Sequence, residues 1–458
     1  CTGGVTFRVP VDSKYEVADV GDRTALQEAV NRQRSTQELI DLVQESGLDV
    51  GDVSPWKANI VEPTNWLSKY MEHNRYQTVE GSTDVDLELD WIHGYRSFDC
   101  RNNLRYNGAG NIVFHAAAIG VVFNKSTGKQ GFLHGAHADD ILGLTAHPAG
   151  QLFASGEAGK TSTIIVWDAE RLHIRARLSG VHHHGVSLLS FNSKGNYLAS
   201  IGLDAENTLV VYEWKKKNMI LTTPTDKRRI LCVCFVVMVD KDDTESEVGA
   251  APDYMVVTGG VSHMKFWWAR GQNVKSQRAL WGQEKVQDIL CITALSPGKC
   301  FVGTVNGDIF IWKDFKLWAK ADRTKEGNPH FAASSPVQAV WSSHEDLEDL
   351  ASYTCITGDK VGNIAIWKFV ETDLVDRPSG VIIQCIHHFN VSTLNPTPTD
   401  LSVRSVCERE GVMLIGTQGS EVYEVPFNVF LHKNVFKTSV LCSESKLHIS
   451  GHSRGELW

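Results

Sequence analysis

Short β-branched or aromatic runs end in tryptophan five times in this chain. They are Ile164-Ile-Val-Trp167-Asp168, Leu209-Val-Val-Tyr-Glu-Trp214, Met264-Lys-Phe-Trp-Trp268, Ile309-Phe-Ile-Trp312-Lys313 and Ile364-Ala-Ile-Trp367-Lys368. The tryptophans stand 47, 54, 44 and 55 residues apart. A turn signal precedes each run: Gly156, Gly202-Leu-Asp204, Gly259-Gly260, Asn306-Gly307-Asp308 and Gly358-Asp359. Before each turn lies another apolar strand, such as Tyr197-Leu-Ala-Ser200 or Cys300-Phe-Val-Gly303. A degenerate sixth copy runs from Val412 to Tyr423, with Tyr423 in place of tryptophan. One such unit cannot bury its apolar faces alone, so the units must stack.

A repeat of about 40–55 residues with several strands and a closing tryptophan marks a propeller blade. It resembles the WD40 repeat. Blade three carries the fullest set, with His182, His183 or His184 near its start, then Ser200, Asp204 and Trp214. The resemblance implies that such residues form a hydrogen-bonded network inside the blade. That role is structural, because buried polar groups need partners. The alternative for His182 to His184 is a metal site. Consecutive side chains on a strand point to opposite faces, so three in a row cannot meet one ion. No metal and no cofactor is expected.

Ahead of the tryptophan repeats lies Leu87-Glu-Leu-Asp-Trp91-Ile-His-Gly94-Tyr95-Arg96-Ser-Phe-Asp99-Cys100-Arg101-Asn102-Asn103-Leu104. Two hydrophobic strands follow, from Asn111 to Asn124. Then come Gly135-Ala-His137-Ala-Asp139-Asp140 and His147-Pro148, with Gly150 two residues on. The Trp-x-x-Gly-Tyr-Arg core and the Asp-x-Arg-x-Asn continuation resemble the HELP motif of the echinoderm microtubule-associated protein-like family. The resemblance implies that the motif supplies strands to the first of two tandem propellers and forms their hydrophobic heart. The residues agree, since an isolated strand pair at 112–124 is unstable unless packed into a sheet. Arg96 and Arg101 are expected as buried partners of Asp90 or Asp99.

The expected fold is therefore all-β: a seven-bladed WD40-type propeller incorporating the HELP motif. Residues 86–135 form its first blade, and 136–440 supply the WD40 repeats. Residues 441–458 read as the start of a following repeat, and 1–9 as the remnant of a preceding blade. Both ends suggest a longer multi-propeller chain. Residues 10–85 read as a linker, with short helices within Thr24 to Ser46 and an anchoring pair, Trp56 and Trp66.

Charge separates the linker from the body. The chain has 45 basic and 54 acidic residues, a net charge of −9. Residues 1–90 hold 8 basic and 17 acidic, while 91–458 hold 37 of each. No overall basic balance draws the chain to nucleic acid or to an anionic membrane. No stretch approaches the roughly 20 apolar residues of a membrane span. The ten scattered cysteines, with no Cys-x-x-Cys and no visible leader, read as reduced cytosolic thiols.

No phosphate loop, metal quartet or nucleophile elbow is present, so a non-enzymatic scaffold is expected. The family resemblance implies tubulin and microtubules as partners, with other microtubule-associated proteins, in the cytoplasm and cytoskeleton. A multi-propeller form would suit the axonemal doublets of cilia. The rival reading is an adaptor propeller that binds peptides in a signalling or ubiquitin-ligase complex. Two basic runs are candidate contacts. Lys215, Lys216 and Lys217 follow a third strand, whereas Lys227, Arg228 and Arg229 follow an outer strand, on the opposite face. Acidic loops at Asp240 to Glu247 and Glu345 to Asp349 share the face of Lys215 to Lys217. Acidic tubulin is therefore expected on the face of Lys227 to Arg229.

Overall fold

The protein was analysed as a computed structural model. It describes residues 4–8, 88–237, 254–270, 273–295, 298–324, 327–343, 353–371, 380–395, 398, 400–426 and 445–451. The expected helices within 24–46, the tryptophans 56 and 66 and both acidic loops lie outside these residues. Among the described residues no helix is long and apolar enough to cross a membrane.

Seven groups of four antiparallel strands follow one another along the chain, the second and third joined into one sheet where His184 and Gly185 pair with Gly159 and Ala158. Blade one comprises Arg105–Tyr106, Ile112–Ala116, Ile119–Asn124 and Lys129–Leu133. Blade two comprises Ile141–Ala146, Leu152–Gly159, Ile164–Asp168 and His173–Leu178. Blade three has His184–Phe191, Tyr197–Gly202, Leu209–Glu213 and Asn218–Thr223. Blade four has Ile230–Val237, Tyr254–Gly260, His263–Arg270 and Asn273–Arg278. Blade five has Ile289–Ala294, Lys299–Thr304, Ile309–Lys313 and Lys316–Lys320. Blade six has Val337–Ser342, Thr354–Asp359, Asn363–Glu371 and Val381–Asn390. Blade seven has Val403–Arg409, Val412–Thr417, Val422–Pro426 and Lys446–Ile449. Its outer strand thus falls in the segment expected to open a following repeat. Gly4–Arg8 pairs with Glu88–His93 in a separate two-stranded sheet.

The first strand of each blade packs against the first strand of the next, and that of blade seven meets that of blade one. The ring is closed, so no inner sheet edge is left to aggregate. Apolar clusters bridge consecutive blades. Phe301 and Trp367 join blades five and six, while Val257 and Trp312 join four and five.

Two local devices repeat around the ring. The inner strand of every blade from two to seven carries a bulge directly after the first residue it pairs with the second strand of its own blade. A bulge re-aims the residue before it. That residue is Val186, Ile289, Val337 or Val403 in blades three, five, six and seven, and it fills the space above a glycine of the preceding blade. A β-carbon on Gly156, Gly259 or Gly303 would come within 2.6–2.7 Å of Val186, Ile289 or Val337. The turn glycines seen in the sequence are thus also packing glycines. At Gly416 of blade seven the occupant is the ring of Tyr95. The HELP segment therefore supplies the wedge that completes the circle.

The register of the third strands relocates two of the repeat tryptophans. Trp167, Trp312 and Trp367 pair with Phe153, Cys300 and Cys355 at equivalent positions. In blade three that position holds Tyr212, with Trp214 two residues on. In blade four it holds Trp267 rather than Trp268, which is half-buried and stacks on Phe315 at 5.5 Å. In blade seven it holds Val425, two residues beyond Tyr423. These corrections arise because backbone pairing, not the tryptophan, sets the register.

Candidate partner-binding faces

The blade networks define what is structural. In blade six, Trp367 Nε1 donates to Thr357 Oγ1 at 2.7 Å. Thr357 Oγ1 lies 2.7 Å from His330 Nε2, and His330 Nδ1 lies 2.9 Å from Asp359. Blade two repeats this with Trp167, Ser155, His137 and Glu157. Blade four reverses two parts, because Asp226 comes from the blade connection and His263 from the third strand. Blade three, expected to be the fullest, is only partial. His182 meets Ser200 at 2.7 Å, but Asp204 caps Thr208 and Trp214 donates to the Gly195 carbonyl. His183 approaches the Lys160 carbonyl, so the three histidines go separate ways. Among the described residues, no group of three or more His, Cys, Asp or Glu is placed to hold a metal ion.

The networks make stability pH-dependent. Burial lowers His182 to about 4 and His115 to about 3. Both are therefore neutral in the fold, whereas an unfolded histidine titrates near ~6.5. As pH falls through that value, the unfolded chain takes up protons that the fold refuses. Stability is complete above about pH 6.5 and declines below it, by about 2 kcal/mol for each histidine at about pH 5. Urea midpoints are expected to fall from pH 7 to pH 5, and less steeply in His182→Gln.

The HELP residues are mostly spent on the seam between blades one and seven. Tyr95 is buried and its hydroxyl donates to the Thr417 carbonyl at 3.0 Å. Burial raises its pKa, so the hydroxyl stays protonated. Asn103 meets His115 Nε2 at 3.1 Å and accepts from Ser405 Oγ at 3.2 Å. Gly94, at φ 80°, lies against Ser420 and Gly451. Trp91 meets Phe123 edge-on at 5.7 Å. Tyr106 and Lys125 of blade one and His448 of blade seven converge on Glu424. These bonds, with burial acting against them, hold the Glu424 carboxyl down to about 2.

Arg96 binds Asp99 at 2.7 Å and also Asp140 at 2.5 Å, but it is half-buried and Asp99 is exposed, so the pair is not the buried one expected. Arg101 makes no such pair. Its guanidinium has no carboxylate partner among the described residues and donates only to the Leu290 carbonyl, at 3.4 Å. From the segment ahead of blade one it reaches the inner strand of blade five, and the next residue, Asn102, has φ 53°.

Strand direction settles the two faces. Lys215 to Lys217 lie in the turn between third and outer strands of blade three, and Lys227 to Arg229 in the connection to blade four. These turns are at opposite ends of the strands, so the runs do not form one patch. Lys216 pairs with Glu213 at 2.7 Å, and Lys215 lies over the Trp214 ring. Arg228 makes two bonds to Asp226, both 3.0 Å, so its charge is matched. Lys227 and Arg229 are exposed and have no carboxylate partner among the described residues. Four exposed apolar side chains, Phe98, Leu203, Val286 and Val361, lie in connections on this same face. Sequence reasoning missed them, since no local pattern separates an exposed valine in a turn from a buried one.

Fold and networks together define a WD40-type propeller whose first blade is built on a HELP motif. Residues 130–425 match the family profile described as "Echinoderm microtubule-associated protein first beta-propeller", and 83–121 match that of the HELP motif. The chain belongs to the echinoderm microtubule-associated protein-like family. It is similar to Echinoderm microtubule-associated protein-like 2 of Rattus norvegicus, 28% identical over 238 residues, covering 49% of this chain and 34% of that protein. It is also similar to the 77 kDa echinoderm microtubule-associated protein of Lytechinus variegatus, 28% identical over 261 residues, covering 54% and 37%. The chain thus spans about a third of these relatives' length. A chain of the crystal structure of the Mitotic Checkpoint Complex matches with TM-score 0.51 and 14% identity, covering 72% of this chain and 88% of that one, which shows the fold alone.

Proposed function

We propose that this chain is a non-enzymatic, microtubule-associated scaffold. Its propeller meets the acidic surface of tubulin through the face that carries Lys227 and Arg229. The observation behind this reading is two exposed cations on that face, Lys227 and Arg229, with no carboxylate partner among the described residues, beside exposed apolar side chains. The names of the relatives support the target. The cytoskeleton is the proposed location, with ciliary doublet microtubules as a specific instance and further propellers in the same chain.

Co-sedimentation with taxol-stabilised microtubules tests this. Lys227→Glu with Arg229→Glu is expected to weaken binding about tenfold, and added salt to weaken the parent protein. Reversing Lys215, Lys216 and Lys217 on the other face is expected to change little. Equal pelleting of the parent and the Lys227/Arg229 variant would sink the proposal. A parent protein that stays in the supernatant would instead favour the peptide-binding adaptor.

A further inference from the structure

The inner strands enclose a central channel of about 550 Å³. Its charged lining is Arg101, Arg105, Lys194, Arg229 and Arg409 against Asp99 and Glu408. A body of neutral net charge thus concentrates positive charge on its axis. The two carboxylates are already engaged. Both oxygens of Asp99 accept from Arg96, and Glu408 accepts from the Gly411 amide at 2.7 Å.

The arginines stand in a column along the seam of blades one and seven. Arg404, at the near end of the inner strand Val403–Arg409, lies behind the channel wall and donates to the Phe98 carbonyl at 3.3 Å and to Gln418 Oε1. Beside it, the Asn102 amide donates to the Arg404 carbonyl at 3.0 Å, which carries Arg101 over the mouth. Midway, Arg105 donates only to the carbonyls of Leu104 and Val406. At the far end Arg409 donates to the carbonyls of Asn107 and Gly108 and also meets Glu410 at 2.9 Å. Five strand steps put Arg404 and Arg409 about 17 Å apart. Burial lowers the pKa of Arg101 and of Arg105, which are half-buried and have no carboxylate partner among the described residues. Asn102 Oδ1 and Arg404 Nε are buried with no hydrogen-bond partner among the described residues. Phe98 and Leu203 are 49% and 38% exposed on this same face, and Leu203 also lines the channel.

The geometry points to the channel mouth as a binding site for an extended acidic peptide. Its carboxylates would meet Arg101 and Arg229. An apolar side chain would lie between Phe98 and Leu203. A half-buried guanidinium that donates only to a carbonyl is poorly compensated, and a carboxylate relieves that cost with charge-assisted bonds. The depth of the column and the apolar lip favour a peptide over a small free anion. The site goes beyond the microtubule reading, because it takes an acidic segment whether or not that segment belongs to a polymer.

Fluorescence anisotropy with the whole protein, without tubulin, tests this. The probe is a short fluorescein-labelled peptide of glutamates with two phenylalanines. A glutamine-for-glutamate peptide of the same length is the control. The acidic peptide is expected to bind at least about tenfold tighter than the control, and Arg101→Gln with Arg229→Gln to remove most of that difference. Exposed Arg229→Gln alone is expected to weaken binding about threefold, which keeps the test valid if Arg101→Gln disturbs the fold. Lys215→Gln with Lys216→Gln and Lys217→Gln is expected to leave binding unchanged. Equal binding of acidic and neutral peptides overturns the site, as does full retention in the Arg101/Arg229 variant. Complete displacement by millimolar inorganic phosphate also overturns it, because that marks an ion site only. Arg229 serves both surfaces, so Arg101→Gln alone separates this site from the microtubule proposal: it is expected to weaken peptide binding and to leave co-sedimentation unchanged.

Discussion

Replacing Tyr95 with alanine is expected to destabilise the propeller by about 4 kcal/mol, since removing a fully buried aromatic ring typically costs about 3–5 kcal/mol. Tyr95 is 0% exposed and edge-packed on Phe114 at 6.3 Å. It occupies the glycine slot of blade seven that a β-branched residue fills at the other interfaces compared above. The truncation leaves a cavity where the circle closes and strips the Thr417 carbonyl of its donor. Chemical denaturation measures the loss. Tyr95→Phe keeps the wedge and removes only that bond, so it is expected to cost about 1 kcal/mol. Gly416→Ala fails for the mirrored reason, because its new methyl collides with the Tyr95 hydroxyl. If Tyr95→Ala unfolds at the same urea concentration as the parent, the wedge is not what holds the seam.

The second large effect is expected at Thr357. Its hydroxyl accepts from Trp367 and serves His330 at once, and all three side chains are fully buried. Thr357→Val preserves shape but orphans two buried polar groups, each worth about 1–3 kcal/mol, so a loss of about 2–4 kcal/mol is expected. Blade five carries that defect already. Val302 sits at the register of Thr357, and Trp312 Nε1 is buried without a partner. The reciprocal change, Val302→Thr, is expected to stabilise by about 1 kcal/mol by giving that indole an acceptor. Equal urea midpoints for parent and Val302→Thr would argue that the indole gains nothing from an acceptor there.

These residues show where sequence reasoning reached and where it stopped. Strand identity and the HELP strands were legible, because each is a local run of apolar residues beside a turn glycine. Register was not. Trp268 and Trp267 are adjacent, and only pairing across Val256 makes Trp267 the network donor. Charge pairing was legible at short range, as for Arg96 with Asp99, and invisible when a carboxylate nearby had already been claimed. Arg228 lies within a basic run, yet Asp226 two residues earlier neutralises it. The arginine column was the least accessible feature, since Arg105 meets Val406 and Arg409 meets Asn107 across about 300 positions.

The Tyr95 wedge also constrains how the chain reaches its fold. Its hydroxyl and the Thr417 carbonyl are 322 positions apart. Contacts of such separation form late, since the loop between them must close first. During synthesis the HELP segment emerges well before the glycine slot that receives it. Until blade seven exists, that aromatic ring has no native seat and stays exposed as a sticky surface. A nascent chain stalled short of residue 417 is therefore a chaperone substrate, however well its earlier blades have stacked.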